Sequence, residues 1–566
     1  MDVQLSKHLA AATLAFALLA AHPALAAATP APTAGSTKAQ PAAPDYLPPT
    51  PQDYVVTAGE AIAIADDDAK VAEQSAIYGA LTVAIQTDDN DVWQVGYKAG
   101  EREVVQVKVD AISGEVRESW TGYQVAWPMA RGYEGQFGHV LNAPYVWIPL
   151  ALIFLLGLLD WRRPLRIAHL DLLVLLGFGV SQIFFNAGEI GVSVPLVYPL
   201  LVYLLARMLW VGFRGGDGLH PSARTIWLVV AAVALITFRV TINVADSGVI
   251  DVGYAGAIGA DKITHGEPLY GEGEFPEENR FGDTYGPVNY YAYVPFELAL
   301  PWSGDWDELA AAHAAAIAFD LTTVLGLFVC GTRLRRGAEG RRLGVVAVFA
   351  WLAYPYTAFA LQSNSNDALI AALVVWALAL FAQPFARGTL LALAASAKFA
   401  PIVLAPLFAA GDRGLADRWS CSSADGSRRR ALRPVASFSV VFGAVVALML
   451  AHPAIDPGLA TFFDRTLVSQ IDRSSPFSIW GQVAGSDWLQ TVLLVSSAVL
   501  AVLVAFVPRR RTLPQIAALA AAVVICLQLS VDHWFYLYIP WFLGPLLVAL
   551  VAIGPRSNRE TGGFDS

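Results

Sequence analysis

The sequence predicts an all-α polytopic membrane protein carrying a small α+β extracytoplasmic domain near its N-terminus. Three observations carry that prediction. The 566 residues have a mean hydropathy of +0.50 and are 56% hydrophobic but only 15% charged, too little charge to clothe a soluble chain of this length. Apolar runs of about 17–24 residues, rich in Leu, Ala and Val, recur between Tyr145 and Ile553 without strand-like alternation, so they fit membrane helices and not a β-barrel. Between Asp53 and Tyr123 the pattern changes to an amphipathic helical stretch followed by short alternating runs, the mark of a small soluble fold.

Taken in chain order, residues 1–27 read as a secretory signal: Lys7, an apolar run from Leu9 to Leu19, and Ala-Leu-Ala before Ala27. Residues 28–51 form a Pro/Ala/Thr-rich linker. Within 52–125, AGEAIAIADDDAKVAEQ predicts one helix, and TVAIQT, DVWQVGYK and EVVQVKVD alternate as strands. A turn at Ile112–Glu115 then leads into a fourth strand. At VWQVGYKAGEREVVQVKVDAISGEV this domain resembles a PepSY domain, which implies a small extracytoplasmic module.

About eleven spans follow, at roughly 144–160, 169–186, 194–213, 225–244, 308–331, 342–361, 367–383, 433–452, 489–507, 513–530 and 534–553. The first three, 144–214, form an accessory unit, and 554–566 is a cytoplasmic tail. Arginine clusters at 162–166, 214–224, 333–342, 428–433 and 509–511 place those loops inside the cell. That assignment is consistent only if 388–410, broken at Lys398-Phe399-Ala400-Pro401, is a re-entrant hairpin. The N-terminal domain, the loop 246–285 and the loop 453–487 then lie outside, on a multi-pass protein of the cell membrane. The three cysteines, Cys330, Cys421 and Cys526, have neither disulfide nor metal-ligand spacing. The net charge of −10 and the absence of a basic face exclude nucleic acid as a partner.

Three outer elements could carry chemistry. Ala245–Pro287 holds nine acidic residues against two basic ones. Asp246 and Asp251 sit at its membrane exit, where a carboxylate on a buried scaffold can take a proton from an acceptor hydroxyl. Solvated loop acids are the competing reading. Asp251 is favoured because Val249, Ile250 and Val252 anchor it, and because Tyr254, Ala257 and Ile258 form an apolar stripe behind it. In FFDRTLVSQIDRSSPFSIWG, Arg465 and Arg473 stand near Gln470, Ser474 and Ser475. They suit either a phosphate or salt bridges to Asp464 and Asp472. The third element combines Tyr354-Pro355-Tyr356, the run 362–367 and Asp532-His533-Trp534, where either a sugar site or an aromatic belt with helix caps fits. Lys398, in a broken half-helix at membrane depth, points to a lipid phosphate or to holding its own hairpin together. Arg239, in the last turns of its span, fits snorkelling outward.

IDVGYAGAIGADKITHGEPLYG, DTYGPVNYYAYVPFELALP, YPYTAFALQSNSNDALIAAL, ASAKFAPIVLAPL and SSPFSIWG together resemble polytopic GT-C glycosyltransferases similar to glycosyltransferase family 87, over 225–553. The resemblance implies a bundle that holds a polyprenyl-phosphate sugar, mannose or a similar hexose or pentose. It implies inverting transfer to a cell-envelope glycan or glycolipid at the outer face. It puts the catalytic base on Asp251, with Asp246 as fallback, and substrate contacts on Arg465, Arg473, Lys398, Tyr270, Gln470 and His533. Neither a metal nor a further cofactor is required by that chemistry. A non-enzymatic transporter, or a scaffold or sensor gated by the N-terminal domain, is the rival reading, to which Asp320 in the fifth span leans.

Overall fold

The computed structural model describes residues 46–88, 91–132, 138–216, 218–276, 279–304, 309–420, 427–468 and 475–552. The expected signal segment 1–27, most of the linker 28–51, Cys421, Gln470, Arg473 and the tail 554–566 lie outside the described residues. Two compact units separate.

In the first unit, α1 (Ala58–Asp66) and α2 (Ala69–Tyr78) precede β1 (Thr82–Asp88), β2 (Val92–Ala99), β3 (Arg102–Asp110) and β4 (Val116–Thr121). The expected single helix is two. Asp68 leaves helical dihedrals, and its carboxylate accepts the Lys70 N–H at 2.8 Å, capping α2. The run Asp66–Asp68 is a poor helix interior and a good helix start. The strands form an antiparallel meander in the order β1-β2-β3-β4. Trp93 lies opposite Val109, Val95 opposite Val107 and Tyr97 opposite Val105, all fully buried, so cross-strand pairs on one face make this unit's core.

The second unit is a helical bundle. Its elements are α3 (Pro144–Leu158), α4 (Ile167–Asn186), α5 (Ile190–Arg214), α6 (Thr225–Ala245), α7 (Asp251–His265), α8 (Ala310–Leu334) and α9 (Gly337–Ala353). There follow α10 (Pro355–Gln362), α11 (Asp367–Ala379), α12 (Pro384–Ala397), α13 (Ala405–Ala410), α14 (Ser427–Ile455), α15 (Asp487–Phe506), α16 (Leu513–Gln528) and α17 (Ile539–Ala552). Among the described residues, six helices are long and apolar enough to cross a bilayer, or seven if α9 and α10 count as one bent span. The expected count of about eleven takes that bent pair as one span and adds four apolar helices shorter than this length. Tyr354, before Pro355, is extended, and the chain bends there by 61°. Among the other apolar runs, α3, α11, α16 and α17 are helices of only 13 to 16 residues.

Those shorter helices shape the site. The 13 residues of α11 rise about 20 Å against a hydrocarbon core of about 30 Å, so its two ends cannot both reach water across a full bilayer. Beside it α12 ends at Lys398, which is extended, and Pro401 helps prevent the helix from continuing. The chain then reverses: a Cβ on Gly411, just past α13, would lie 3.0 Å from Nη2 of Arg387 near the start of α12. Small residues let the helices approach closely, as where Gly331 of α8 meets Gly344 of α9.

Buried polar residues tie α6 to its neighbours. Its buried stripe, Leu228, Ala232, Leu235, Arg239 and Asn243, ends in two polar side chains. Arg239 does not snorkel; it is 1% exposed, with Nη2 donating to Oδ1 of Asp320 at 2.7 Å and to the Thr357 carbonyl at 3.0 Å. The Trp351 indole donates to the same Asp320 oxygen at 2.8 Å. The carboxylate that leaned toward a transporter is therefore bound in a structural ion pair.

Candidate active site

One end of the bundle gathers the segments around 246–304, 363–366, 398–399, 453–468, 475–486 and 529–538, and acidic and aromatic residues concentrate there. Asp251 is the first residue of α7 and is exposed. Its Oδ1 accepts the Val252 N–H at 2.9 Å, a carboxylate at the positive end of a helix dipole. The backbone behind it is fixed. Ile250 N–H donates to the Ser363 carbonyl at 3.1 Å, and the Asn279 amide donates to the Asp251 carbonyl at 3.0 Å. A Cβ at Gly253 would come within 2.4 Å of the Asn364 carbonyl, so only glycine allows α7 to pack this closely. Asn364 bonds Asn243 at 2.8 Å and Ser247 at 3.0 Å, linking the mount of Asp251 to the stripe on α6.

Asp246 differs. It caps the end of α6 and holds a turn, with Nδ1 of His139 at 3.2 Å and the Val140 N–H at 3.4 Å.

The segment 279–287 is the hub of this end. Asn279 holds the Asp251 backbone, as above, and Asp283, with no exposed surface, grips Arg465 through two bonds of 2.5 and 2.8 Å. Those hydrogen bonds raise the Arg465 guanidinium above its ordinary value. Of the two open readings for this arginine, a carboxylate does hold it, but Asp283 from a distant loop takes the place expected for Asp464. Nη2 also reaches the Arg280 carbonyl at 3.3 Å. Tyr270 lies beneath the hub, fully buried, its hydroxyl donating to the Tyr285 carbonyl at 3.1 Å and its ring edge-on to Phe462. Burial pushes that hydroxyl's pKa well above its ordinary value, so it supports the loop from below.

Next to Tyr285, Gly286 N–H donates to the Ala397 carbonyl at 3.1 Å, and a Cβ there would lie 2.1 Å from the Ser396 carbonyl. This contact docks the hub on the break of the α12–α13 hairpin. Lys398 at that break donates to Oδ1 of Asp367 at 2.7 Å, an oxygen that also accepts the Trp541 indole at 2.8 Å. The lysine nitrogen stands 5.0 Å from the Trp541 ring, 5.8 Å from Tyr538 and 6.0 Å from Tyr285, an aromatic cage for a cation. His533 adjoins that cage, 6.3 Å from Tyr538 ring to ring, with its Nδ1 2.9 Å from the Ser475 hydroxyl.

Sequence reasoning missed Asp283, Tyr285, Tyr538 and Trp541, and it missed the pairing of Asp367 with Lys398. Asp283 and Tyr285 lie inside the quoted stretch DTYGP, and Asp367 closes the run after Asn366, where it had been read as a helix cap. Their partners are 31 to 182 residues away, which local spacing does not reveal. Among the described residues, no three His, Cys, Asp or Glu side chains converge as a metal set would.

Residues 284–531 match the model of glycosyltransferase family 87. No curated protein matches the chain. The matched segment contains Tyr285, Asp367, Lys398 and Arg465, and Asp251 and Asp283 precede it.

Proposed function

On the premise that the bundle is a membrane glycosyltransferase of the GT-C type, with residues 284–531 matching family 87, we propose that it takes a sugar from a polyprenyl-phosphate carrier. The acceptor is a cell-envelope glycan or glycolipid, and transfer occurs with inversion at the extracytoplasmic face. The observation that carries this reading is the hub 279–287. One short segment holds the backbone of an exposed carboxylate, the Asp283–Arg465 pair and the loop that covers Lys398.

In this reading Asp251 accepts the proton of the acceptor hydroxyl as its oxygen bonds to the anomeric carbon. The bond from that carbon to the carrier phosphate breaks, and polyprenyl phosphate leaves with the electron pair. A cation held rigidly near the departing phosphate stabilises the developing charge without reorganising, and Arg465, oriented by Asp283, is the residue suited to that task. Lys398, neutralised by Asp367 and caged by aromatic rings, suits a supporting electrostatic role deeper in the bundle. The arginine clusters in the opposite loops support the outward orientation of this end. The PepSY-like domain is assigned an accessory role toward the acceptor, a partner or the cell wall.

The test is to incubate membranes containing the protein with radiolabelled polyprenyl-phosphate mannose, arabinose and glucose. Label from one of them reaches lipid or wall if the reading holds. Label from a nucleotide sugar alone would refute the donor class.

A further inference from the structure

At the end of the bundle opposite Asp251, a cavity of about 920 Å³ is lined by Arg333, Arg387, Arg413, Arg418, Arg430 and Arg511, with Asp412 the acid among its lining residues. Arginines in loops at this end are expected as topology signals, but such residues need only face water. These do not. Arg387 is 4% exposed, Arg418 5% and Arg511 6%, in a volume typical of small-molecule sites.

The fold brings them together from distant segments. Arg387 lies in the first turn of α12, Arg418 in the short helix Leu415–Trp419, and Arg511 just before α16. A Cβ at Gly411 would touch two of these guanidinium groups at once, 3.0 Å from Nη2 of Arg387 and 3.4 Å from Nη2 of Arg418. Backbone carbonyls hold each in place: Arg387 donates to Phe381 at 2.6 Å, Arg418 to Ala410 at 3.1 Å and Arg511 to Ala505 at 3.1 Å. Those bonds do not use every donor. Nε and Nη2 of Arg387 and Nε of Arg511 are buried without a hydrogen-bond partner among the described residues. Burial, and behind it the neighbouring Arg418 charge, lower the Arg511 guanidinium to about 10, so it remains a cation at neutral pH.

Converging buried cations with unused donors are unfavourable unless an anion meets them. Planar guanidinium forks match phosphate oxygens through paired hydrogen bonds. We propose that this cavity is a second site, distinct from the sugar-transfer site, that binds a phosphate or diphosphate group. The group is either the head of an anionic lipid, whose chains would follow the apolar wall of Leu378, Pro434 and Ile516, or a soluble phosphate compound.

The experiment uses the full protein in lipid nanodiscs and reads binding, independently of sugar transfer. In one arm the discs are phosphatidylcholine and inorganic pyrophosphate is titrated. In the other, phosphatidylglycerol replaces part of the phosphatidylcholine, and lipid retention is read by native mass spectrometry. The wild type binds in at least one arm, and the responding arm identifies the source. The double variant Arg333→Gln/Arg413→Gln, which leaves the packed arginines intact, should weaken that binding about tenfold or more. Arg162→Gln/Arg163→Gln removes the same charge from an exposed loop outside the cavity and should leave binding unchanged. Absence of binding in both arms, or equal loss in the two double variants, overturns the proposal.

Discussion

The two polar clusters of the bundle solve the problem of burying cations in opposite ways. At the acidic end each buried or half-buried cation has its own carboxylate: Asp283 holds Arg465, Asp367 holds Lys398, and Glu267 and Glu274 flank Lys262. The opposite cavity is lined by six arginines, and Asp412, which pairs with Arg418 at 3.1 Å, is the acid among the lining residues. A paired cation is held in place and nearly neutral overall, which suits a site that must stabilise charge only as it develops during reaction. A cluster with more cations than acids keeps its attraction for a resident anion. The contrast separates a site arranged for turnover from one arranged for retention.

The strongest way to break the comparison is to strip a pair inside the bundle. Arg239→Ala leaves Asp320 buried without its counter-ion and should cost about 3–5 kcal/mol, read by thermal or denaturant unfolding in detergent. Arg239→Met/Asp320→Leu removes both charges and should recover most of that loss. Next in size, Asp283→Asn should cost about 1–3 kcal/mol, less because Arg465 is about a quarter exposed, and should raise the KM for the carrier-linked sugar. Asp464→Asn should change neither quantity, since Asp283 is the carboxylate that holds Arg465.

At the other cluster the sign reverses. Arg413→Gln relieves like-charge repulsion and should raise the unfolding midpoint slightly in phosphate-free buffer, by less than Arg239→Ala lowers it. The smallest effect lies in the sheet unit. Asp110 accepts the N–H groups of Ser113 and Ile112 and pairs with Arg117, which holds its carboxyl well below the ordinary value of 3.8. Its contribution is complete above that ordinary value and is lost as pH falls toward the lower folded value. Asp110→Asn should therefore lower amide-exchange protection in the β3–β4 turn at neutral pH and flatten its acid limb, the two proteins converging as pH falls.

The membrane class, the four-strand sheet and the break at Lys398 were legible in the sequence because each rests on local pattern: hydropathy, alternation and proline. Asp251 was favoured by its apolar neighbours, but it took the family resemblance to choose it over Asp246. The partners of Arg465, Lys398 and Arg239 could not be singled out, because each pair joins segments far apart in the chain, and a carboxylate in a loop looks solvated until the fold buries it. Hydropathy windows miss helix ends for the same reason in reverse. A window over α9 and α10 reads one continuous apolar segment, whereas Pro355 turns the chain by 61° and shortens what can cross. The arginine cavity was visible only as topology signals, since burial of Arg387, Arg418 and Arg511 depends on where the hairpin returns.

The central claim is that Asp251, mounted on the hub 279–287, is the base for sugar transfer. Transfer from polyprenyl-phosphate sugar should be measured in membranes for Asp251→Asn and Asp246→Asn, with expression and folding matched. The account predicts a fall of about 10²–10⁴-fold for Asp251→Asn, the usual contribution of a general base, and a modest change for Asp246→Asn, which caps a turn. Full activity in Asp251→Asn would contradict it, and loss confined to Asp246→Asn would move the base to the other aspartate.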